Sequence, residues 1–398
     1  MKVAIMGFGV VGGGVGELLI SNAENIAKKA GETIEVKYIL DLREFPDSPY
    51  KCFTKNFEDI LNDPEVEAVV EAMGGTVPAY DFTKKLLLAG KHVVSSNKEL
   101  VAKHGTELLK IAKEKNINYL FEASVGGGIP IIRPLISSLT GNDITGIIGI
   151  LNGTTNYILT QMIKNGKSFE EALSEAQEKG YAEKDPTADV EGIDTCRKIA
   201  ILASLAHGKY VDSMSIPTEG ITKITTEDAK YAQALGYSVK LVGICETAED
   251  GVYARVCPAF INFECPLASI SDVFNGVLVQ SNALGDVMFY GRGAGKLPTA
   301  SAMVSDLVDV AKHINTNIRI LWNESEDGYL KDGQEQKFAY YLRLEGSPEG
   351  FCGKVKVLDG YSNEFAVIVD PVTEKELEEM LETAPFAGHT VLGKIRVI

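Results

Sequence analysis

Cysteine is scarce, and what there is falls in no metal or redox spacing. The six cysteines, Cys52, Cys196, Cys245, Cys257, Cys265 and Cys352, form no C-x-x-C, and their density is far below that of a disulfide scaffold. Reduced thiols in a cytoplasmic setting are the expectation. Positive charge is also in deficit. The 39 lysines and arginines face 55 acids, for a net charge of −16, which argues against nucleic acid or an anionic membrane as partner. No apolar run is long enough to span a bilayer. Met1–Met6 opens a strand at once, without a signal-peptide core or cleavage site. Tandem repeats and low-complexity tracts are lacking. What is present is a soluble globular composition, 45% hydrophobic and 24% charged over 398 residues, enough for two domains and a small third.

The first motif follows the first strand. Val3–Met6 is apolar, Gly7-Phe8-Gly9-Val10-Val11-Gly12 comes next, and a helical pattern runs on through Val15, Leu18, Leu19 and Ile26. G-x-G-x-x-G between a strand and a helix is a dinucleotide-binding turn. Gly7 permits the tight turn, Gly9 lets backbone approach a pyrophosphate, and Gly12 lets helix and strand pack closely. The helix N-terminus then favours the anion. A second strand, Ile34–Leu40, ends at Asp41, an acid able to accept from the ribose hydroxyls of NAD; Arg43 could instead meet the 2′-phosphate of NADP. Asp41 could also be only a turn cap. Further strands are read at Glu67–Met73, followed by a Gly74-Gly75 turn and a helix Ala79–Ala89, and at His92–Ser96, from whose carboxyl end Asn97-Lys98 leaves as a loop. Ligands of open α/β sheets bind at such ends, so Lys98 is placed for an anionic group unless it is a solvated surface lysine.

Val125–Pro130 is a glycine-rich loop of exposed carbonyls, a hinge or a ligand for a hard monovalent cation. A strand, Ile144–Leu151, delivers Asn152-Gly153-Thr154-Thr155-Asn156. The Ser168 N-cap starts a helix to Lys179, Asp185–Asp189 is a turn, and an apolar helix spans about Gly192 to His207. On it Asp194 and Lys198 are spaced i,i+4 and share a face. Their surroundings are apolar, with Glu183 and Asp189 adding acid nearby. An ordinary surface ion pair would be worth little. A lysine in such a place can have its pKa moved by burial or by acids, which suits acid–base work.

Ser238–Val279 is strand-rich. Asp286–Tyr290 leads to a second glycine-rich turn, Gly291–Gly295, which is a cofactor contact or a connector, and a helix covers Thr299–Ile314. A polar linker follows Trp322. The tail carries strands at Phe338–Leu344, Gly353–Leu358, Glu364–Val369 and Leu392–Ile398, and a helix at Glu374–Glu382.

Taken together, the N-terminal turn, Asn97-Lys98, Glu122–Pro130, Asn152–Asn156, the Asp189…Asp194…Lys198 segment and Gly291–Ala300 resemble homoserine dehydrogenase over nearly the whole chain. The resemblance implies NAD(P)-dependent interconversion of L-aspartate 4-semialdehyde and L-homoserine, on the route to threonine and methionine. It implies Lys198 as general acid–base, with Asp194 orienting it. Glu183 would hold the substrate amino group, and Thr154, Tyr181 and Asp189 would shape the pocket. Lys98 would bridge cofactor and substrate. Gly7, Gly9, Val10, Val11, Gly12, Asp41, Arg43, Gly74 and Gly295 would meet the cofactor. Glu122, Val125, Gly127 and Ile129 match the family's sodium or potassium loop. Leu40 stands where many members carry arginine, which leans the reading toward NAD or dual use. The tail resembles an ACT-type regulatory module, but Glu345–Gly350 replaces the usual aspartate-containing turn and helix, so threonine feedback loses its usual support. A monofunctional enzyme, without a kinase domain before the dehydrogenase, is the expectation.

The expected architecture is α/β. A Rossmann domain covers 1–130, with 298–320 returning to it. A mixed-sheet catalytic and dimerisation domain covers 131–297, and a degenerate ACT-like domain covers 337–398. A homodimer or homotetramer acting on a small molecule is expected. Two rivals stand beside this reading. A phosphorylating semialdehyde dehydrogenase would need a nucleophilic cysteine, but Cys196 reads as packing inside the key helix. A catalytically silent amino-acid sensor would not need the Asp194/Lys198 pair.

Overall fold

A computed structural model describes residues 1–351, 354–358 and 363–398; Cys352 and Gly353, where a tail strand was expected to begin, lie outside the described residues. The first strands and helices are β1 (Lys2–Met6), α1 (Val10–Ser21), α2 (Ala23–Ala30), β2 (Glu35–Leu40), β3 (Phe53–Thr54), α3 (Glu58–Leu61), β4 (Val66–Glu71), α4 (Ala79–Leu88), β5 (His92–Ser95), α5 (Lys98–Glu114) and β6 (Tyr119–Leu120). Next come β7 (Ile144–Ile150), α6 (Gly153–Asn165), α7 (Phe169–Glu178), α8 (Thr187–Val190), α9 (Ile193–His207), α10 (Thr226–Leu235), β8 (Tyr237–Ala248), β9 (Gly251–Asn262), β10 (Phe274–Ser281), β11 (Gly285–Arg292) and α11 (Lys296–Lys312). The tail adds β12 (Phe338–Glu345), β13 (Lys354–Lys356), β14 (Glu364–Val372), α12 (Glu374–Leu381) and β15 (Val391–Val397). These form two compact units, one of Met1–Asp143, Ala200–Ser213 and Gly291–Glu326, the other of Ile144–Ile199, Met214–Tyr290 and Asp327–Ile398.

The first unit is built on a six-stranded sheet in the order β3-β2-β1-β4-β5-β6, its pairings parallel. Parallel strands covered on both faces read as unbroken apolar runs, and Val3, Ala4, Ile5 and Met6 are accordingly all buried. The order reverses between β1 and β4, and ligands of such sheets bind outside the carboxyl ends at that reversal. Met303, Leu307 and Val310 of α11 share a core with Val15 and Leu19 of α1 and with Ile5 and Val70 of the sheet. Each such side chain taken wholly out of water contributes about 1.5–3 kcal/mol.

The second unit holds a nine-stranded mixed sheet, β11-β10-β7-β8-β9-β15-β12-β14-β13. The tail strands pair antiparallel among themselves, as do β10, β7, β8 and β9. The two sets join through one parallel pairing, Arg396 opposite Ala259 and Val397 opposite Phe260. The tail thus extends the sheet of this unit, and Leu342, Phe365 and Leu377 lie in one core with Ile244 and Ile261. Glu345 is followed directly by bend and turn, with no helix among the described residues before β13.

Two local expectations need correction. Lys98 is the first residue of α5 rather than part of a loop, because the Asn97 side chain accepts from the Leu100 N–H and caps the helix there. Asn152 does the same for α6 through the Thr155 N–H, so Gly153–Asn165, read only as the end of a strand delivery, is a thirteen-residue helix. The Ser168 cap of α7 is realised as a full capping box with Glu171.

Candidate active site

Gly7 adopts φ +86°, and a Cβ there would stand 2.8 Å from the Ala72 carbonyl oxygen. A Cβ on Gly12 would stand 1.9 Å from the Gly7 carbonyl oxygen. Both glycines are therefore demanded by the fold. Gly9 is different, since the nearest atom to a Cβ would be the Arg43 guanidinium, 3.7 Å away. No protein atom requires glycine at that position, so the room over it fits a ligand that needs close backbone approach. Gly9 N-caps α1 with no side-chain cap and no acid in the first turn, leaving the N–H groups of the first turn to an anion. Val10 is exposed and Val11 half-buried at that turn. The residues present fit a dinucleotide pyrophosphate.

Asp41 and Arg43 form a closed pair. The Arg43 N–H and Nε donate to one carboxylate oxygen at 2.9 and 3.0 Å, and its Nη2 donates to the other at 2.8 Å. The Phe8 N–H donates to that second oxygen at 2.8 Å, tying the glycine turn to the end of β2. The guanidinium beside it holds the Asp41 carboxyl well below the usual carboxylate range. With its lone-pair sites so occupied, Asp41 meets a ribose only if Arg43, whose side chain is largely exposed, yields.

At the carboxyl ends of β4 and β5, Gly74 stands in the turn after β4 with nothing within 4 Å of a Cβ position, and Lys98 opens α5 half-buried. The turn Gly291–Gly295 packs on the loop after β6. The Gly128 N–H donates to the Arg292 carbonyl at 3.1 Å, and a Cβ on Gly127 would meet the Gly293 carbonyl at 2.3 Å. Gly295 then N-caps α11, whose Lys296 carbonyl would be 2.9 Å from a Cβ on Gly14 of α1. The second glycine-rich turn is thus brought to the helix of the first.

The same loop is organised around Glu122. Its buried carboxylate accepts the backbone N–H groups of Ile131, Ile132 and Arg133 at 2.7–2.9 Å, and burial pushes its pKa up. The Glu122 N–H donates to Asp306 at 2.9 Å, and Asp306 accepts Arg133 at 2.6 Å. Two buried acids thus share one arginine, which also meets Asp309.

In the second unit, side chains converge where β7 ends. The Lys198 ammonium lies 2.8 Å from Asp194 and donates to the Leu151 carbonyl at 2.7 Å; both side chains are buried. The Asn152 amide donates to Asp194 at 2.9 Å and to Asp189 at 2.7 Å. Burial, then the charge of Asp194, raises the Asp189 pKa. The Thr154 hydroxyl donates to the Tyr181 carbonyl at 2.6 Å, and the exposed Tyr181 ring packs edge-on against Tyr157 at 5.0 Å. Glu183 is exposed on the following turn, its carbonyl accepting from Gln177. Cys196 is buried within α9. Asn152 and the Leu151 carbonyl were not singled out from sequence. The Asn-Gly-Thr-Thr cap pattern after a strand was the available sign of the first; a backbone acceptor leaves none.

The chain matches known proteins along its whole length. Residues 7–122 match the family model "Homoserine dehydrogenase, NAD binding domain" and residues 130–308 the model "Homoserine dehydrogenase". It is 40% identical to the homoserine dehydrogenase of Pseudomonas aeruginosa over 95% of this chain and 89% of that one. Against the Bacillus subtilis enzyme it is 41% identical, over 100% and 91%. The solved homoserine dehydrogenase of Thiobacillus denitrificans superposes with a TM-score of 0.88 at 36% identity, covering 100% of this chain and 98% of that one. A hyperthermophilic archaeal homoserine dehydrogenase solved in complex with NADPH gives 0.68 at 27% identity, over 80% and 99%. With both family models, these relatives and this fold in agreement, the chain belongs to the homoserine dehydrogenase family.

Proposed function

We propose that Lys198 is the general acid–base of L-homoserine oxidation and L-aspartate 4-semialdehyde reduction in this enzyme. The observation that carries the reading is the buried ammonium held between the Asp194 carboxylate and the Leu151 carbonyl. Nicotinamide, when bound, supplies or takes the hydride, which leaves the protein orientation and one proton to manage. The Lys198 ammonium gives a proton to the oxygen of the developing alkoxide in reduction and recovers it in oxidation. Asp194 and Asn152 fix the direction of Lys198. Thr154, Tyr181 and Asp189 shape the substrate pocket, and the exposed Glu183 carboxylate suits an ammonium group.

Gly7, Gly9, Val10, Val11, Gly12, Gly74 and Gly295 make the cofactor site, with the Asp41/Arg43 pair governing NAD against NADP. Lys98 bridges cofactor and substrate. Its place at the carboxyl ends of the parallel strands, where ligands of such sheets bind, supports a role toward an anionic group. Glu122, Val125, Gly127 and Ile129 hold sodium or potassium. Support comes from the excess of buried acid around Arg133 and from the Val125, Gly127 and Ile129 carbonyls, which accept no hydrogen bond among the described residues.

The tail serves as a degenerate ACT-like module, a reading supported by its strands around the capped helix α12. Self-association as a dimer or tetramer is supported by the outermost strand β11, which exposes Met288 and Tyr290. A cytoplasmic setting is supported by five free thiols among the described cysteines. No helix among the described residues is long and apolar enough to cross a membrane.

The test is oxidation of L-homoserine at alkaline pH with NAD and NADP in parallel, with and without potassium or sodium. Turnover with at least one dinucleotide, raised by the cation, is expected. Folded protein that binds a dinucleotide yet turns over neither would overturn the reading.

A further inference from the structure

At the reversal of the parallel sheet lies a buried carboxylate that the reaction as described does not use. Glu71 is the last residue of β4, fully buried, paired with Met6 of β1 on one side and Ser95 of β5 on the other. A carboxylate so placed is costly unless its oxygens are met, and both are. One oxygen accepts the Met73 N–H at 2.9 Å, the other the Ser95 hydroxyl at 2.5 Å. The Ser95 oxygen in turn accepts the Asn97 N–H at 3.0 Å. Asn97 caps α5 and reaches back with its amide to the Gly75 carbonyl at 2.6 Å. The turn after β4 and the start of the helix that opens with Lys98 are therefore tied to each other through one acid.

We propose that Glu71 is a positioning residue for this reaction, acting through Met73, Ser95 and Asn97 to hold the Met73–Gly75 turn and the Lys98 end of α5 as one rigid floor for the nicotinamide end of the cofactor. The inference rests on the cofactor site and the role of Lys98 set out above. The titratable group that faces Glu71 is Tyr119 of β6, a buried phenol whose ionisation is pushed up by burial and by the Glu71 charge, against the Ser95 hydroxyl, which lowers it. β1 offers Met6, β5 Ser95 and α5 Asn97, none of them charged. Burial raises the Glu71 carboxyl to about 7, against the hydrogen bonds from Ser95, Met73 and Asn97, which lower it. The ionised form, which accepts on both oxygens, is the holding form and is populated above that pH. An amide has one acceptor oxygen in place of two, so Glu71→Gln keeps both contacts only by reversing one, its NH2 donating to the Ser95 oxygen, and the charge that both bonds met is gone.

The experiment compares wild type, Glu71→Gln and Ser95→Ala in homoserine oxidation across pH 5.5–9, with NADH affinity read by fluorescence and folding by thermal melting. In wild type, kcat rises through a limb near pH 7. In Glu71→Gln that limb is lost and kcat at pH 8 falls roughly ten- to hundred-fold, as for a misplaced reacting group, while KM for homoserine stays within about two-fold. Ser95→Ala falls in the same direction, and it carries the test if Glu71→Gln does not fold. A folded variant that keeps the limb, or keeps kcat within two-fold, overturns the proposal and leaves Glu71 a packing group. Should wild type not oxidise homoserine, the reading of the reaction fails. In that case NADH affinity decides whether Glu71 positions the cofactor: a several-fold loss in Glu71→Gln supports it, and unchanged affinity overturns it.

Discussion

In the first unit the glycines proposed for the cofactor would work through their backbones, whereas in the second Asn152, Asp189, Asp194 and Lys198 would work through side chains. The glycine turn offers N–H groups and room, and Gly7 and Gly12 are fixed by contacts inside the protein. The cluster at the end of β7 offers charge and a transferable proton, and its shape is set by a cap, a carbonyl and an i,i+4 spacing. A backbone site is broken by adding atoms. A side-chain site is broken by removing them.

That contrast can be driven hardest at Lys198. Lys198→Ala should lower kcat for homoserine oxidation by about 10²–10⁴-fold, while NADH affinity, measured on the same protein by fluorescence, stays near wild type. Full turnover in the variant would end the acid–base assignment. Adding atoms to the first unit should do the reverse. Gly12→Ala pushes a methyl into the Gly7 carbonyl and should cost about 1–3 kcal/mol of stability, as overpacking does, with loss of dinucleotide binding. Gly9→Ala meets only the Arg43 guanidinium, at an ordinary contact distance of 3.7 Å, so its melting temperature should hold while NAD(H) affinity drops by about ten-fold, equivalent to roughly 1.4 kcal/mol. Equal destabilisation by the two alanines would dissolve the distinction between a glycine the fold needs and one the ligand needs. The smallest effect is expected where side chains enter the first unit. Arg43→Ala frees Asp41 from its guanidinium and should shift the NAD-to-NADP ratio of kcat/KM several-fold toward NAD, about 1 kcal/mol. A shift toward NADP would assign the ribose site to other residues.

What could be read from the amino-acid sequence was what lies close along the chain. Gly7–Gly12 stands between an apolar strand and a helical pattern, and Asp194 and Lys198 are one helical turn apart, so order and spacing alone expose them. The capping box at Ser168 is equally local. Helix α6 was hidden because it opens Gly153-Thr154-Thr155, poor helix formers that only the Asn152 cap and burial against the sheet make helical. The start of the Lys98 helix is hidden in the sequence for a related reason, since the Asn97 side chain decides it. Distance in sequence hid the rest. Arg133 meets Asp306 across 173 residues, and Glu71 meets Ser95 across 24. In each case a buried acid within an apolar stretch is visible, but its partner is not.

The parallel joint between β9 and β15 has a consequence for how the chain is made. Residues 259–260 find their partners at 396–397, so a ribosome must add well over a hundred residues before that end of β9 is covered, while Val256 is met by Pro217 and Glu219, which precede it in the chain. Until then the Ala259–Phe260 end of β9 presents unpaired backbone groups to its surroundings, the kind of surface on which other strands add. The tail strands therefore act as a late-arriving cover, and a chain halted before β15 would be expected to need a chaperone at that edge even though its glycine turn and its lysine had long since been synthesised.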